Sequence, residues 1–366
     1  ERGRGLWIGS REGIDLLDPA SGQRRNIVRF EPGSVPLRPL RRFVADGAHV
    51  LWAPTHQGLL RIDRESLRAE RATAPSLDKV LSALHGADGV LYAGTVDGLY
   101  RVDSDGAVAR KLWPAADAAY PVHDLVEDAA GRLWLAVRGE GLAIVDPRDG
   151  HAEWLRHRRD MPGALPEELV ITLLLDRSGL LWVGGTSRGV ATTRPDGAAL
   201  EYVTDLAPQR DQTTANNLFA VWEDAESQLW LGLEGAGLKR YDRERDQFED
   251  YTEALLRAGL RGGNDLRVFA IRPESAGRLW IGSNHGLLLL DPRTRRAQRQ
   301  ALPLPSGSGE DAEVRTLLPE AFDDVLVQIV AGHDLRIGEA ALVEDAPGLN
   351  AEIGQIARVE PQAKQP

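Results

Sequence analysis

The chain has 366 residues, 42% of them hydrophobic and 9 of them Trp, which is enough for a large core. A net charge of −11 argues against a nucleic-acid groove, which wants a basic stripe, and the lack of any Cys excludes disulfides, Cys-ligated zinc and thiol catalysis. No apolar run reaches the roughly 18 residues of a membrane-spanning helix.

From the N-terminus onward one phrase recurs: Leu-Trp-x-Gly-x-x-x-Gly-Leu-x-x-x-Asp. Its first copy runs from Leu6-Trp7 through Gly13-Ile14 to Asp18. Further copies start at Leu51-Trp52, Leu91-Tyr92, Leu133-Trp134, Leu181-Trp182, Leu229-Trp230 and Leu279-Trp280. A period of roughly 40–50 residues marks a solenoid, propeller or array. The fourth copy gives the unit. Val122–Glu127 alternates as a strand, and Asp128-Ala129-Ala130-Gly131 is a tight turn. Arg132–Val137 is a second strand, Leu142–Val145 a third and His151–Leu155 a fourth. Four short strands with Gly/Asp turns match one β-propeller blade. The Trp is expected to fill space between neighbouring blades, and the Gly after it to allow close backbone approach. The second Gly is expected at positive φ, and the closing Asp (Asp18, Asp63, Asp103, Asp146, Asp242, Asp291) to cap a turn. Arg194 takes that last place in the fifth copy. A short helix is expected over Thr252–Ala258.

The end of the chain sets the blade count. Val325-Leu326-Val327 and Leu335-Arg336-Ile337 read as a decayed eighth copy, and residues 353–359 as a lone first strand. The chain opens on a second strand at Leu6-Trp7. The expectation is therefore an all-β propeller over residues 1–360 with eight blades, closed by pairing of 353–359 with Leu6–Gly9, and a linker over 361–366. Seven blades is the alternative. Because the chain opens inside a repeat, it reads as a segment of a longer protein, and the missing signal peptide leaves the compartment open.

This unit, preceded by an alternating strand and Asp-x-x-Gly, resembles the two-component regulator propeller repeat, strongly over about 300 residues and weakly over the last 60. The resemblance implies an extracytoplasmic, periplasmic sensor propeller of a bacterial histidine kinase or diguanylate cyclase receptor, often one of a tandem pair. It implies no catalytic set. The chain lacks the Ser-x-Asp-x-Gly-x-Thr-Trp box of sialidase-like propellers and the Gly-His…Trp-Asp spacing of tryptophan–aspartate repeats. It shares Leu-Trp with the antibiotic-lyase propellers but not the second half of their repeat.

The Trp, Gly and Asp are accounted for by architecture, so a site is sought where the repeat breaks. The turns between second and third strands vary from copy to copy and lie on one face with the blade-to-blade loops. They nominate Arg11, His56, Asp97, Arg138, Arg188, Glu234 and His285 for ligand binding; the loops add Tyr120, Glu168 and Asn216. Trp113, Tyr120 and Trp154 either stack on a ligand ring or cover neighbouring blades. Arg156-His157-Arg158-Arg159 is a basic cluster that meets an anion or is simply solvated. Asp103-Ser104-Asp105-Gly106 looks like a calcium loop but sits at a turn position, and Glu127-Asp128 and Glu223-Asp224 read as structural. No metal or cofactor motif is present: no Walker sequence, no nucleophile elbow, no metalloprotease spacing. The expectation is a non-enzymatic sensor for a small polar ligand such as an oligosaccharide. It would meet a homodimer or tandem-propeller partner and no nucleic acid, and a membrane only through flanking segments. A protein-interaction scaffold and an axial lyase or hydrolase are the alternatives.

Overall fold

The computed structural model describes residues 5–10, 12–30, 42–55, 57–115, 118–158, 164–165, 167–185, 190–197, 200–203, 217–243, 245, 247–262, 265–274, 277–302 and 313–319. Among these the strands form seven four-stranded antiparallel sheets. Blade 4 is typical. Val122–Glu127 is innermost, followed outward by Leu133–Val137, Gly141–Val145 and Ala152–Leu155. The innermost strands of blades 2, 3, 5, 6 and 7 are Val44–Asp46, Val80–His85, Val170–Leu175, Leu218–Glu223 and Val268–Glu274. The expected helix is present at Thr252–Arg257.

Blade 1 corrects the expected closure. Its outer three strands are Leu6–Ser10, Gly13–Leu17 and Arg24–Arg29, and its innermost strand is Val314–Pro319. Trp7 pairs with Leu318 in the register that Trp134 keeps with Val126. The ring is therefore closed by 314–319, not by 353–359, and it has seven blades rather than eight. The physical reason is that the first alternating strand after blade 7 already satisfies the open edge of Leu6–Ser10, leaving no edge for a later strand to cover. The unit Glu1–Ala331 carries the propeller; the candidate eighth copy at 325–337 and the candidate strand 353–359 lie outside the described residues.

The core explains why seven junctions are enough. Seven hydrophobic clusters occur, one between each pair of neighbouring blades, including 7–1 and 1–2. Each aromatic of the phrase lies in the cluster shared with the following blade: Trp7 with Leu51, Trp134 with Leu173, Trp230 with Ile271, Trp280 with Leu317. A buried Trp removes 150–250 Å² from water, worth about 4–6 kcal/mol at about 25 cal/mol per Å². In blades 4, 5 and 6 the indole nitrogen is satisfied by the turn before it. Asp128, Asp176 and Asp224 each accept from the Trp six residues on, at 2.9, 2.6 and 2.8 Å. The same Asp128 carboxylate also accepts the N–H groups of Ala130 and Arg132. The phrase's first Gly is a close approach: a Cβ on Gly232 would lie 2.6 Å from the Val268 carbonyl of the next blade. The second Gly is left-handed, with φ +114° at Gly286.

An axial floor beneath a polar mouth

The chain reverses between strands so that two sets of connections share one end of the ring: the turns between second and third strands, and the loops from each blade to the next. Backbone bonds tie these turns to the start of the innermost strand. Arg138 donates to the Pro121 carbonyl, Glu234 to that of Asn217 and Asn284 to that of Arg267. This end is the mouth.

Just below it, six innermost strands slip register by one residue against their neighbours. The bulge re-aims three consecutive side chains. In blade 7, Val268 packs toward blade 6 and Ala270 toward blade 1. In blade 6, Leu218 packs toward blade 5 and Ala220 toward blade 7. The residue between faces neither sheet and points to the axis. These axial residues are Leu81, His123, Ile171, Phe219, Phe269 and Arg315, in blades 3, 4, 5, 6, 7 and 1. The equivalent in blade 2, residue 41, lies outside the described residues.

The axial residues meet across blades. The rings of Phe219 and Phe269 are 5.2 Å apart, edge to face, and the Arg315 guanidinium sits 4.5 Å from the Phe269 centroid. Arg315 is ion-paired with Glu313. His123 and Ile171 are buried, while Leu81, Phe219, Phe269 and Arg315 are partly open to solvent. The six side chains thus line the axis at one level, the floor beneath the mouth, and those of blades 6, 7 and 1 touch.

Above the floor, at blades 6 and 7, the mouth carries a polar network. Arg267 donates to Glu234 at 2.6 Å, and Asn217 donates to the same carboxylate. Arg267 also lies 3.6 Å from Asp265, which is 3.3 Å from His285. Asn284 accepts the Arg267 N–H at 2.8 Å and donates to the Asp265 carbonyl at 2.6 Å. The structure therefore brings together two residues nominated from sequence, Glu234 and His285, through Arg267 and Asp265, which sequence reasoning missed.

The other nominees are placed differently. Asp97 accepts from the hydroxyls of Thr95 and Tyr100 within its own hairpin. Burial, then this bond, pushes the Tyr100 hydroxyl up to about 12. Arg138 and Glu168 are exposed at the mouth. Tyr120 stacks on Trp113 at 5.2 Å and meets Trp154 edge-on at 5.4 Å. Trp113 and Trp154 are on the outermost strands of blades 3 and 4, so this trio covers neighbouring blades far from the axis. Arg11, His56, Arg188 and Asn216 lie outside the described residues. Of the basic cluster, Arg156 is paired with Glu140 and lies over Trp154, the His157 ring bonds the Leu165 carbonyl, and Arg159 is outside the described residues.

The opposite end of the ring repeats itself. Asp103 and Asp105 accept turn N–H groups from Val108 and Ala107, as a plain turn does. Glu127 accepts the Ala87 N–H of blade 3 and Glu223 the Arg177 N–H of blade 5, so both acidic pairs are structural. Among the described residues no group of three or more His, Asp or Glu could hold a metal ion, and no helix is long and apolar enough to cross a membrane.

The axial floor had a signal in the sequence. Strict alternation would put positions i and i+2 on one face. Here the residues packing toward the preceding blade are spaced i, i+3: Val122 and Leu125, Val170 and Leu173, Val268 and Ile271. That slip marks the bulge, and the residue after its first member is the axial one.

No protein-family profile and no curated protein matches the chain. Among solved structures it is similar to virginiamycin B lyase from Staphylococcus aureus, at 14% identity over 73% of this chain and 85% of that one, with a TM-score of 0.57. A streptogramin B lyase matches at 13% identity over 77% and 91%, with a TM-score of 0.56. These likenesses are of fold. The extracellular domain of a one-component system from B. thetaiotaomicron also matches, at 14% identity and a TM-score of 0.39. That match covers 81% of this chain, which spans about half (53%) of that domain's length.

Proposed function

We propose that this propeller is a non-catalytic sensor that binds a small polar ligand, such as an oligosaccharide, at its mouth, as the extracytoplasmic part of a bacterial signalling receptor. The observation that carries the reading is the contrast between the two ends. One end is a repeated set of self-capped turns. At the other, Ser10, Thr55, Thr95 and Ser283 cap the hairpin turns of four blades in the same way, and blades 6 and 7 add a network of their own above the axis, Glu234–Arg267–Asp265–His285. Side chains on loops held by a rigid scaffold are where recognition is usually built. Paired carboxylates, guanidinium and amides suit a ligand with many hydroxyl groups, since each can serve as donor or acceptor. The resemblance of the repeat to sensor propellers supports the signalling context.

Binding can signal only if the ligand prefers one arrangement of the receptor over another. The test is a thermal-shift screen of the chain against oligosaccharides, amino acids, short peptides, nucleotides and divalent cations. A ligand at 100 times its Kd stabilises by about 2.7 kcal/mol. Arg267→Gln is expected to weaken the hit by about tenfold, the loss of one charge-assisted contact. A flat screen together with a stable dimer would favour an interaction scaffold, and turnover of a hit would make the chain an enzyme.

A further inference from the structure

We propose that the axial floor is a subsite for the ring of a small aromatic carboxylate, a ligand class different from what the mouth above it suits. The inference rests on reading the mouth as a ligand entrance. At floor level the described side chains are two Phe, two aliphatic residues, one Arg and one His. A sugar ring, polar all round its edge, would strand hydroxyl groups against Leu81, Ile171 and the two Phe rings. A flat aromatic ring would not.

The geometry of the blade 6–7–1 arc is specific. Phe219 and Phe269 already meet edge to face at 5.2 Å, an arrangement that a third ring can extend without rebuilding either. At the end of the same arc, 4.5 Å from the Phe269 ring, lies a guanidinium that cannot lose its charge. Its side chain is only 18% exposed, so a carboxylate reaching it would be bound with little competition from water. A guanidinium carries five N–H donors and can serve a ligand carboxylate alongside Glu313. Ring and carboxylate therefore have separate receptors side by side, and benzoate or phenylacetate carries both groups on one short frame. The open side chains of this arc, Phe219, Phe269 and Arg315, are those this ligand would cover.

The test is calorimetric titration of the whole chain with benzoate, cyclohexanecarboxylate, benzyl alcohol and a mixed oligosaccharide pool, with saturation-transfer NMR on the benzoate ring protons. Benzoate is expected to bind at least about tenfold more tightly than either control, one lacking the aromatic ring and the other the charge. Arg315→Gln should weaken benzoate about tenfold and leave benzyl alcohol unchanged. Phe219→Leu should weaken both severalfold. If a variant fails to fold, the comparison of the three ligands on the unaltered chain still decides. Benzoate binding no better than cyclohexanecarboxylate, or oligosaccharide binding without benzoate, overturns the aromatic-acid subsite and leaves the mouth as a ligand site. No binding by any probe overturns the subsite, and a flat thermal-shift screen beside it overturns the mouth as well.

Discussion

A single carboxylate position shows how closely this fold is tied to its turns. Asp128 accepts from the Trp134 indole, two backbone N–H groups and Arg132, with its side chain 1% exposed. Asp128→Ala would leave those donors buried and unpaired, at about 1–3 kcal/mol for each that water cannot reach. A loss of about 3 kcal/mol is expected in urea unfolding, and a loss below about 1 kcal/mol would show that water replaces the carboxylate. Its neighbour Glu127 behaves in the opposite way. Burial first, then the nearby Asp88 and Asp128, hold its pKa above the usual carboxylate value, against the lowering effect of the Ala87 N–H. A raised folded pKa means the native state holds the proton more tightly than the unfolded chain. The contribution is complete below the unfolded value near 4.5 and is lost as pH rises through the folded one. Glu127→Gln keeps an acceptor for Ala87 and has no charge to bury. Its melting temperature, relative to the parent chain, is expected to climb between pH 4 and pH 7. A gap that stays flat with pH, or a drop at neutral pH, would mean that the charged bond to Ala87 outweighs burial.

At the level of strands, the repeat was plainly legible and the bulge only faintly, as an i, i+3 spacing of apolar residues. Leu-Trp-x-Gly fixed the second strand, because its Trp and Gly each answer to the following blade. Gly232 makes the point: its backbone is ordinary, so only the neighbour forbids a side chain there. A Cβ would lie 2.6 Å from the Val268 carbonyl. Gly232→Ala must push blade 7's innermost strand outward, at about 1–3 kcal/mol by analogy with overpacked cores. The outward shift would also move Phe269, one residue on, so a melting temperature unchanged by the substitution would show that the junction is loose. The axial residues escaped notice for a physical reason. A bulge changes where a side chain points without changing what the strand is made of, so nothing in composition sets Phe219 and Phe269 apart from core residues. The rim was half legible: Glu234 and His285 stand out as unneeded by their turns. Arg267 and Asp265 sit at the start of an innermost strand, where polarity draws no attention.

For the whole molecule the question is which strand completes the ring. Counting copies of the phrase favours an eighth blade, because similarity to Leu-Trp-x-Gly is measured on second strands. Closure depends instead on a first strand, which carries no such phrase. Val314–Pro319 supplies it, placing Leu317 against Trp280 and Leu318 against Trp7, so one strand seals two junctions. Two truncations separate the possibilities. A chain ending at Ala331 keeps both junctions and should melt within about 2 °C of the parent, which is about 1.4 kcal/mol for a domain of this size. A chain ending at residue 312 loses the strand. It exposes the edge of Leu6–Ser10 together with Ala270, Trp280 and Leu287, and should lose its cooperative transition and associate through the open edge. If the first truncation unfolds like the second, the ring is closed by residues beyond 331 and the blade count returns to eight. If both melt like the parent, the junctions between blades 7, 1 and 2 hold without a sealing strand. The ring would then be a stack of blades that needs no closure.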